Sequence, residues 1–312
     1  MARDARIPSR TVAAVSYDSR ILLLLKKHNH RGYVLNQFGK AIDVHLPSGD
    51  LITLVPEASL NGPGFVCLPS WPVGRFREAG IRIPEVAHFI SPAGETQNGP
   101  PAGLIVDLRS ARPWLPPPFP RPPSHLSALK NVAASLFHDC PPPGRYRYRL
   151  GRFLPPGRLD YELKARTESL LNSIRSQQIG DFENAFIALL GLGIGLTPSG
   201  DDFLAGALAA AWWLQGTRPA DFLREEAAKL IARHGEKTTP VSRHFLSAAA
   251  EGVFCEFVYR FLESLRTGDN QSIARWTEYI RGWGATSGSW LLHGFASTAA
   301  ALIGIGENSH RE

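Results

Sequence analysis

The chain has 312 residues, 44% apolar and 20% charged, an ordinary globular composition with material for about two domains. Its 34 basic and 28 acidic residues leave a formal charge of +6, which favours anionic ligands weakly and falls short of a nucleic-acid-binding signature. Cys67, Cys140 and Cys255 are far apart and outside metal-ligand spacing, which excludes a disulfide framework and points to a reducing compartment.

Met1 to Arg10 alternates charges without the apolar run of a signal peptide. The apolar helix candidate Phe203–Leu214, roughly 12 residues long, is too short to span a bilayer. The later stretch Trp290–Ile305 is interrupted by His293 and small polar residues. A soluble cytoplasmic protein is expected, with neither membrane nor nucleic acid among its partners.

The first third reads as β structure. Val12–Tyr17, Ile21–Leu25, Tyr33–Phe38, Ala41–Leu46, Leu51–Val55 and Gly64–Leu68 are short β-branched or aromatic runs, and Leu104–Leu108 adds a last one. Turn residues separate them, among them Ser48-Gly49-Asp50 and Asn61-Gly62-Pro63. A small antiparallel sheet or barrel over residues 1–112 is expected. Residues 113–123 carry seven prolines and read as an extended polyproline II connection. A docking peptide for a partner is the alternative.

Helices then dominate residues 124–312. His125–His138, Leu159–Gln178, Phe182–Leu190, Asp201–Gln215, Ala220–His234, Val241–Gly252, Phe254–Arg266, Gln271–Trp283 and Ser289–Ile303 have helical periodicity or composition. Between the first two, Arg145-Tyr-Arg-Tyr-Arg149 would place arginines and tyrosines on opposite faces of an edge strand. The fold class is α+β: an N-terminal β domain followed by a mainly helical domain.

Gly191-Leu-Gly-Ile-Gly-Leu-Thr-Pro-Ser-Gly-Asp-Asp-Phe-Leu-Ala-Gly206 carries the chemistry. Alternating glycines are entropically costly to order, and two carboxylates at the mouth of an apolar helix need partners. Ser199 and Asp202 have capping-box spacing, which would account for one carboxylate. Asp201 and Asp202 lie about 100° apart on a helix, so both cannot serve one cap. A glycine loop entering a helix start can cradle phosphate or carboxylate. No lysine follows the glycines as a Walker loop requires, and Gly-x-Gly-x-Gly is not the dinucleotide spacing. Two carboxylates repel a bare anion. Either Mg²⁺ bridges them to a phosphate, making Asp201 and Asp202 its ligands, or they accept hydrogen bonds from an amide or amino group.

The motif has two partial echoes. Thr239-Pro-Val-Ser-Arg-His-Phe-Leu246 repeats Thr197–Leu204 with Arg243-His244 in place of the aspartates, and Ser287-Gly-x-x-x-Leu-x-Gly294 repeats Ser199–Gly206. Three helix starts would then share one pocket. It would have Asp201 and Asp202 as the reactive pair. Gly193, Gly195, Thr197, Ser199, Gly200, Thr239, Ser242, Thr286, Ser287 and Gly288 would bind substrate, with Arg243 as a cationic clamp. His244 reads as a surface or capping residue, with acid–base work as its alternative. His293 and Cys255 read as packing.

These residues resemble the AllH-type subunit of oxamate carbamoyltransferase, a bacterial family of anaerobic purine and allantoin breakdown. The resemblance rests on residues 191–206, with support from Asn61-Gly-Pro-Gly64 and Gly284-Ala-Thr-Ser-Gly288. The last departs from a Gly-His-Ser-Ser-Gly pattern at Ala285. The resemblance implies transfer of a carbamoyl group between phosphate and oxamate, and further enzyme subunits as partners. Oxalurate and carbamoyl phosphate each join an anionic end to an NH₂ group. Three functions stand open: a carbamoyltransferase subunit that takes part in the chemistry, a ligand-binding or scaffolding subunit, and a Mg²⁺-dependent phosphotransferase on a small acid. Association of the chain with copies of itself is also open.

Overall fold

The computed structural model describes residues 10–27, 31–70, 76–82, 102–122 and 158–308. The helix expected at His125–His138, the Arg145–Arg149 alternation and Cys140 lie outside these. Two compact units divide the chain, Met1–Pro116 and Pro117–Glu312. The first is built on strands and the second on helices, so the α+β class holds.

The strands of the first unit are β1 (Arg10–Ala13), β2 (Ser16–Asp18), β3 (Arg31–Gln37), β4 (Ile42–His45), β5 (Leu51–Pro56), β6 (Phe65–Leu68), β7 (Phe76–Arg82), β8 (Ala102–Asp107) and β9 (Arg112–Trp114). Among the described residues they form one sheet, open rather than barrel-closed, in the order β1-β8-β7-β3-β4-β5-β6-β2-β9. Its centre, from β7 through β3 and β4 to β5, is antiparallel. Parallel pairs flank that centre on both sides. Gly49, at φ +90°, closes the β4–β5 hairpin, and Leu46 accepts its N–H at 2.9 Å. Val12, Tyr17, Ile42, Val44, Leu46, Ile52, Leu54, Val66 and Val106 fill the core of this unit. Each such side chain contributes about 1.5–3 kcal/mol on burial.

Ile21–Leu25 is not the expected strand. It is the start of a helix, α1 (Ile21–Lys27). An unbroken apolar run fits either period, and tertiary contacts decide. Asp18 accepts the Arg20 backbone N–H at 3.1 Å and pairs with its guanidinium at 2.6 Å, turning the chain out of β2. Ile21 and Leu25, one helical turn apart, are then fully buried while Leu23 is 67% exposed. Asp107 and Arg109 form the same elbow after β8. Asp18 also accepts the Gly64 N–H at 2.8 Å, and Asn61 accepts the Ser16 hydroxyl at 2.7 Å. The Asn61–Gly64 turn thus fastens the start of β6 to β2. β9 overlaps the proline-rich stretch, and Pro113 is tolerated there because β9 is an edge strand.

The helices of the second unit are α2 (Arg158–Ser176), α3 (Ile179–Leu189), α4 (Ser199–Trp213), α5 (Arg218–His234), α6 (Pro240–Ala250), α7 (Glu256–Thr267), α8 (Asn270–Arg281) and α9 (Ser287–Asn308). α4 is the centre. It is apolar on every side, and α9, α5, α6, α2 and α3 pack around it. Its closest neighbour is α9, and glycines set the approach. A Cβ on Gly206 would lie 2.0 Å from the Leu291 carbonyl oxygen, and one on Gly294 would lie 2.1 Å from that of Phe203. The shared Gly206/Gly294 pattern of the two echoes is therefore a packing device. Within this unit Phe119 of the proline-rich segment lies against the rings of Trp212, Phe254 and Tyr259, at centroid distances of 6.0, 5.5 and 5.1 Å.

Gly206→Ala forces α4 and α9 apart and is expected to lower the unfolding free energy of the full chain by about 1–3 kcal/mol or more. Gly304→Ala, in the same pair but with nothing within 4 Å of its Cβ among the described residues, is expected to raise it by about 0.5–1 kcal/mol. Urea unfolding of both variants measures the difference.

Candidate functional site

The glycine loop connects α3 to α4. Gly191, Gly193 and Gly195 all have positive φ, +71°, +136° and +104°, where L side chains are strained. Two of them are also held against backbone. A Cβ on Gly191 would meet the Lys237 carbonyl oxygen at 2.4 Å, and one on Gly193 the Ser199 nitrogen at 2.4 Å. Gly200 packs on the Leu189 carbonyl oxygen and donates its N–H to Leu192 at 2.8 Å. These glycines fold the loop down on itself. Gly195 differs: a Cβ there would meet nothing within 4 Å among the described residues, and its neighbour Ile194 is 57% exposed. The loop tip is the open side of the site.

The two aspartates have separate surroundings. α4 begins at Ser199 with Pro198 as its N-cap residue, and the expected Ser199–Asp202 capping box does not form: the cap has no side-chain hydrogen bond among the described residues. The Thr-Pro-Ser order puts Ser199 one position too far along the helix to cap it. Asp201 instead reaches across to other elements. Its Oδ1 accepts the Gly191 N–H at 2.9 Å, and its Oδ2 accepts the Ser242 hydroxyl at 2.7 Å and the Thr238 hydroxyl. Thr239 caps α6 by accepting the Ser242 N–H at 3.0 Å, and its hydroxyl donates to the Leu196 carbonyl. The start of α6 is thereby tied to the loop and to the start of α4.

α9 supplies the third helix start. Thr197 Oγ1 and Ser287 Oγ share a hydrogen bond of 2.8 Å beside Asp202. Ser287 follows a turn in which Gly288 donates its N–H to Trp283 at 3.0 Å and packs on the Ile280 carbonyl. Asp202 is 9% exposed, and its Oδ2 is buried without a hydrogen-bond partner among the described residues. Burial, reinforced by the Asp201 charge, pushes the Asp202 carboxyl well above its ordinary range, against the pull of the Ser287 and Thr197 hydroxyls. Asp201 is also raised by burial, opposed by its three donors Thr238, Gly191 and Ser242.

The structure therefore brings Thr197, Asp201, Asp202, Thr239, Ser242 and Ser287 together where α4, α6 and α9 begin. Their dipoles place partial positive charge at this point. Arg243 is not turned toward the carboxylates. It is exposed and its Cδ flanks Gly235, since Ser242 takes the inward-facing position of α6. Thr286 serves through its carbonyl, which accepts the Trp290 N–H at 3.0 Å. Ser199 is buried at the first position of α4. His244 is half-buried beside Phe245. The His293 ring stacks edge-on to Phe203 and Trp290, and Cys255 is buried before α7. Thr238 was missed by sequence reasoning, although it immediately precedes the Thr239-Pro240 echo.

A Mg²⁺ ion held by both aspartates fits this arrangement poorly, because both Asp201 oxygens already take hydrogen-bond donors. Among the described residues no group of three or more His, Cys, Asp or Glu side chains is placed to hold a metal ion. Nor is any helix among them long and apolar enough to cross a membrane.

Residues 189–299, from the end of α3 through most of α9, match a family model that describes an enzyme subunit. The family is described as oxamate carbamoyltransferase subunit AllH, which supports the resemblance carried by residues 191–206. No solved structure matches the chain.

Asp201→Ala leaves the Gly191 N–H and two hydroxyls without their acceptor and is expected to destabilise the chain by about 3 kcal/mol. A pH series tests the other carboxyl. A folded-state pKa above the ordinary 3.8 means stability is fully present below that value and is lost as pH rises through the raised one. Asp202→Asn removes this loss, so its stability relative to wild type is expected to improve as pH rises from 3.8 through the raised value and to level off above it. Denaturation midpoints of the two proteins across that range measure it.

Proposed function

We propose that this chain is a carbamoyltransferase subunit that holds a small substrate where α4, α6 and α9 begin. The substrate class is an anionic molecule carrying an amide or carbamoyl group, such as oxamate, oxalurate or carbamoyl phosphate. One observation carries the reading: a buried carboxyl oxygen of Asp202 without a partner among the described residues, set among hydroxyls at converging helix starts. The helix dipoles favour the anionic end, the Thr197 and Ser287 hydroxyls can bond to it, and the carboxyl of Asp202 suits the amide end. The family match over residues 189–299 supports the same reaction class.

The other subunits of such an enzyme are the partners, and the reaction belongs to purine and allantoin breakdown in the cytoplasm. The exposed Ile194–Gly195 tip favours a second reading, in which this chain binds the substrate and a partner subunit closes over the tip and supplies further reacting groups.

The test is carbamoyl phosphate formation from oxalurate and phosphate. The chain assembled with its partner subunits is expected to turn over. The isolated chain is expected to bind oxamate or carbamoyl phosphate by calorimetry. Turnover by the chain alone excludes the binding-subunit reading, and an inert assembly that binds neither ligand refutes the function.

A further inference from the structure

The adjacent aspartates look equivalent in the sequence, yet they differ in one decisive respect. Asp201 has three donors on its two oxygens. Asp202 lies one residue on and about a quarter-turn around α4, 9% exposed, with Oδ2 unpartnered among the described residues. A buried polar oxygen without a partner is costly, and a cost retained inside a glycine loop that already folds tightly indicates a partner from outside the chain.

We propose that Asp202 is the substrate-contacting residue of this site, engaging a primary carbamoyl group (H₂N–C=O) through its free Oδ2, and that Asp201 is its positioning residue. The proposal rests on the carbamoyltransferase reading above. The chemistry of the pair is specific. Burial keeps the Asp202 carboxyl in its neutral form more readily than an ordinary carboxylate. A neutral carboxyl protonated at the free Oδ2 has an O–H donor there, and the oxygen of a primary carbamoyl group is its complementary acceptor. The Thr197 and Ser287 hydroxyls hold two protons between them; their mutual bond uses one, and the other is left for the second Asp202 oxygen or the ligand.

A neutral Asp202 would donate to the carbamoyl oxygen, where negative charge grows as the carbamoyl carbon is attacked. In the phosphorolytic direction an oxygen of hydrogen phosphate bonds to that carbon. The C–N bond to oxamate breaks, its electron pair stays on nitrogen, and the proton of the hydrogen phosphate ends there. Asp202 keeps its own proton throughout. Among the described residues the charged group acting on Asp202 is Asp201 on the same helix; on the packed helices, His293 of α9 lies against Phe203, His244 of α6 against Phe245, and Arg243 of α6 faces outward over Gly235. Asp201 acts through position alone, since its bonds to Gly191, Thr238 and Ser242 fix the first turn of α4 and with it the direction of Asp202.

The test compares Asp202→Ala, Asp202→Asn and Asp201→Ala in the assembled enzyme, with oxalurate and phosphate as substrates and thermal unfolding of each chain as the control. Asp202→Ala is expected to lower kcat about a hundredfold with an undiminished Tm, as loss of one transition-state donor does. Asparagine presents the same donor and acceptor as a neutral carboxyl, so Asp202→Asn is expected to recover most of that loss, to within about tenfold of wild type. Asp201→Ala is expected to lower Tm by several degrees. A wild-type kcat in Asp202→Ala overturns the contact. An Asp202→Asn variant as slow as Asp202→Ala overturns the neutral pairing and makes Asp202 a base. A wild-type assembly that transfers no carbamoyl group overturns the underlying function, and the inference with it.

Discussion

The helical unit depends on what Asp201 does with its two oxygens. One carboxyl group accepts from the loop that precedes α4, from the segment that precedes α6, and from the first turn of α6. Without it, three donors would lose their acceptor, the buried Ser242 hydroxyl among them. With it, the starts of two helices and the glycine loop are fastened at one point. Thr239 makes the same join from the other side, capping α6 and reaching back to Leu196. Asp201 therefore joins elements distant in the chain, a structural task that its position in the motif did not announce.

The glycines divide in the same way. Gly191, Gly193 and Gly200 allow backbone to touch backbone, and Gly206 and Gly294 allow α4 and α9 to close on each other. Their use is steric, because a Cβ at any of them would lie within 2.5 Å of a main-chain atom. Among the described residues nothing lies within 4 Å of a Cβ built on Gly195, and its positive φ is what demands glycine there. What began as a phosphate-cradle pattern is mostly a pattern of close approach. The crowding explains how one carboxyl oxygen can be kept buried without a partner among the described residues: the surrounding backbone has little freedom to relax toward it.

Much of the candidate site's grouping was legible in the sequence. Thr197, Asp201, Asp202, Thr239, Ser242 and Ser287 were all marked by helix-start chemistry, and the two echoes do bring their helices to the same point. The less legible features are those that depend on direction. Arg243 neighbours Ser242 in the chain, yet the helix turns one inward and the other to solvent. Ser199 and Asp202 have capping-box spacing, yet the helix begins one residue too early for the serine to cap it. In the strand-rich unit the leucine run after Arg20 could not declare its period, and the Asp18 elbow settled it as a helix.

By itself the sequence determined the α+β order, the buried character of α4 and the grouping of hydroxyls and carboxyls at helix starts. Those follow from local quantities: apolar periodicity, proline and hydroxyl positions, and backbone freedom at glycine. Only the tertiary structure decided which aspartate has both oxygens bonded and which keeps one oxygen without a partner among the described residues. That depends on Gly191, Thr238 and Ser242, residues from as far as 41 positions away that reach Asp201 and stop short of Asp202. Hydrogen-bond partners across such separations are set by packing, and no spacing along the chain encodes them.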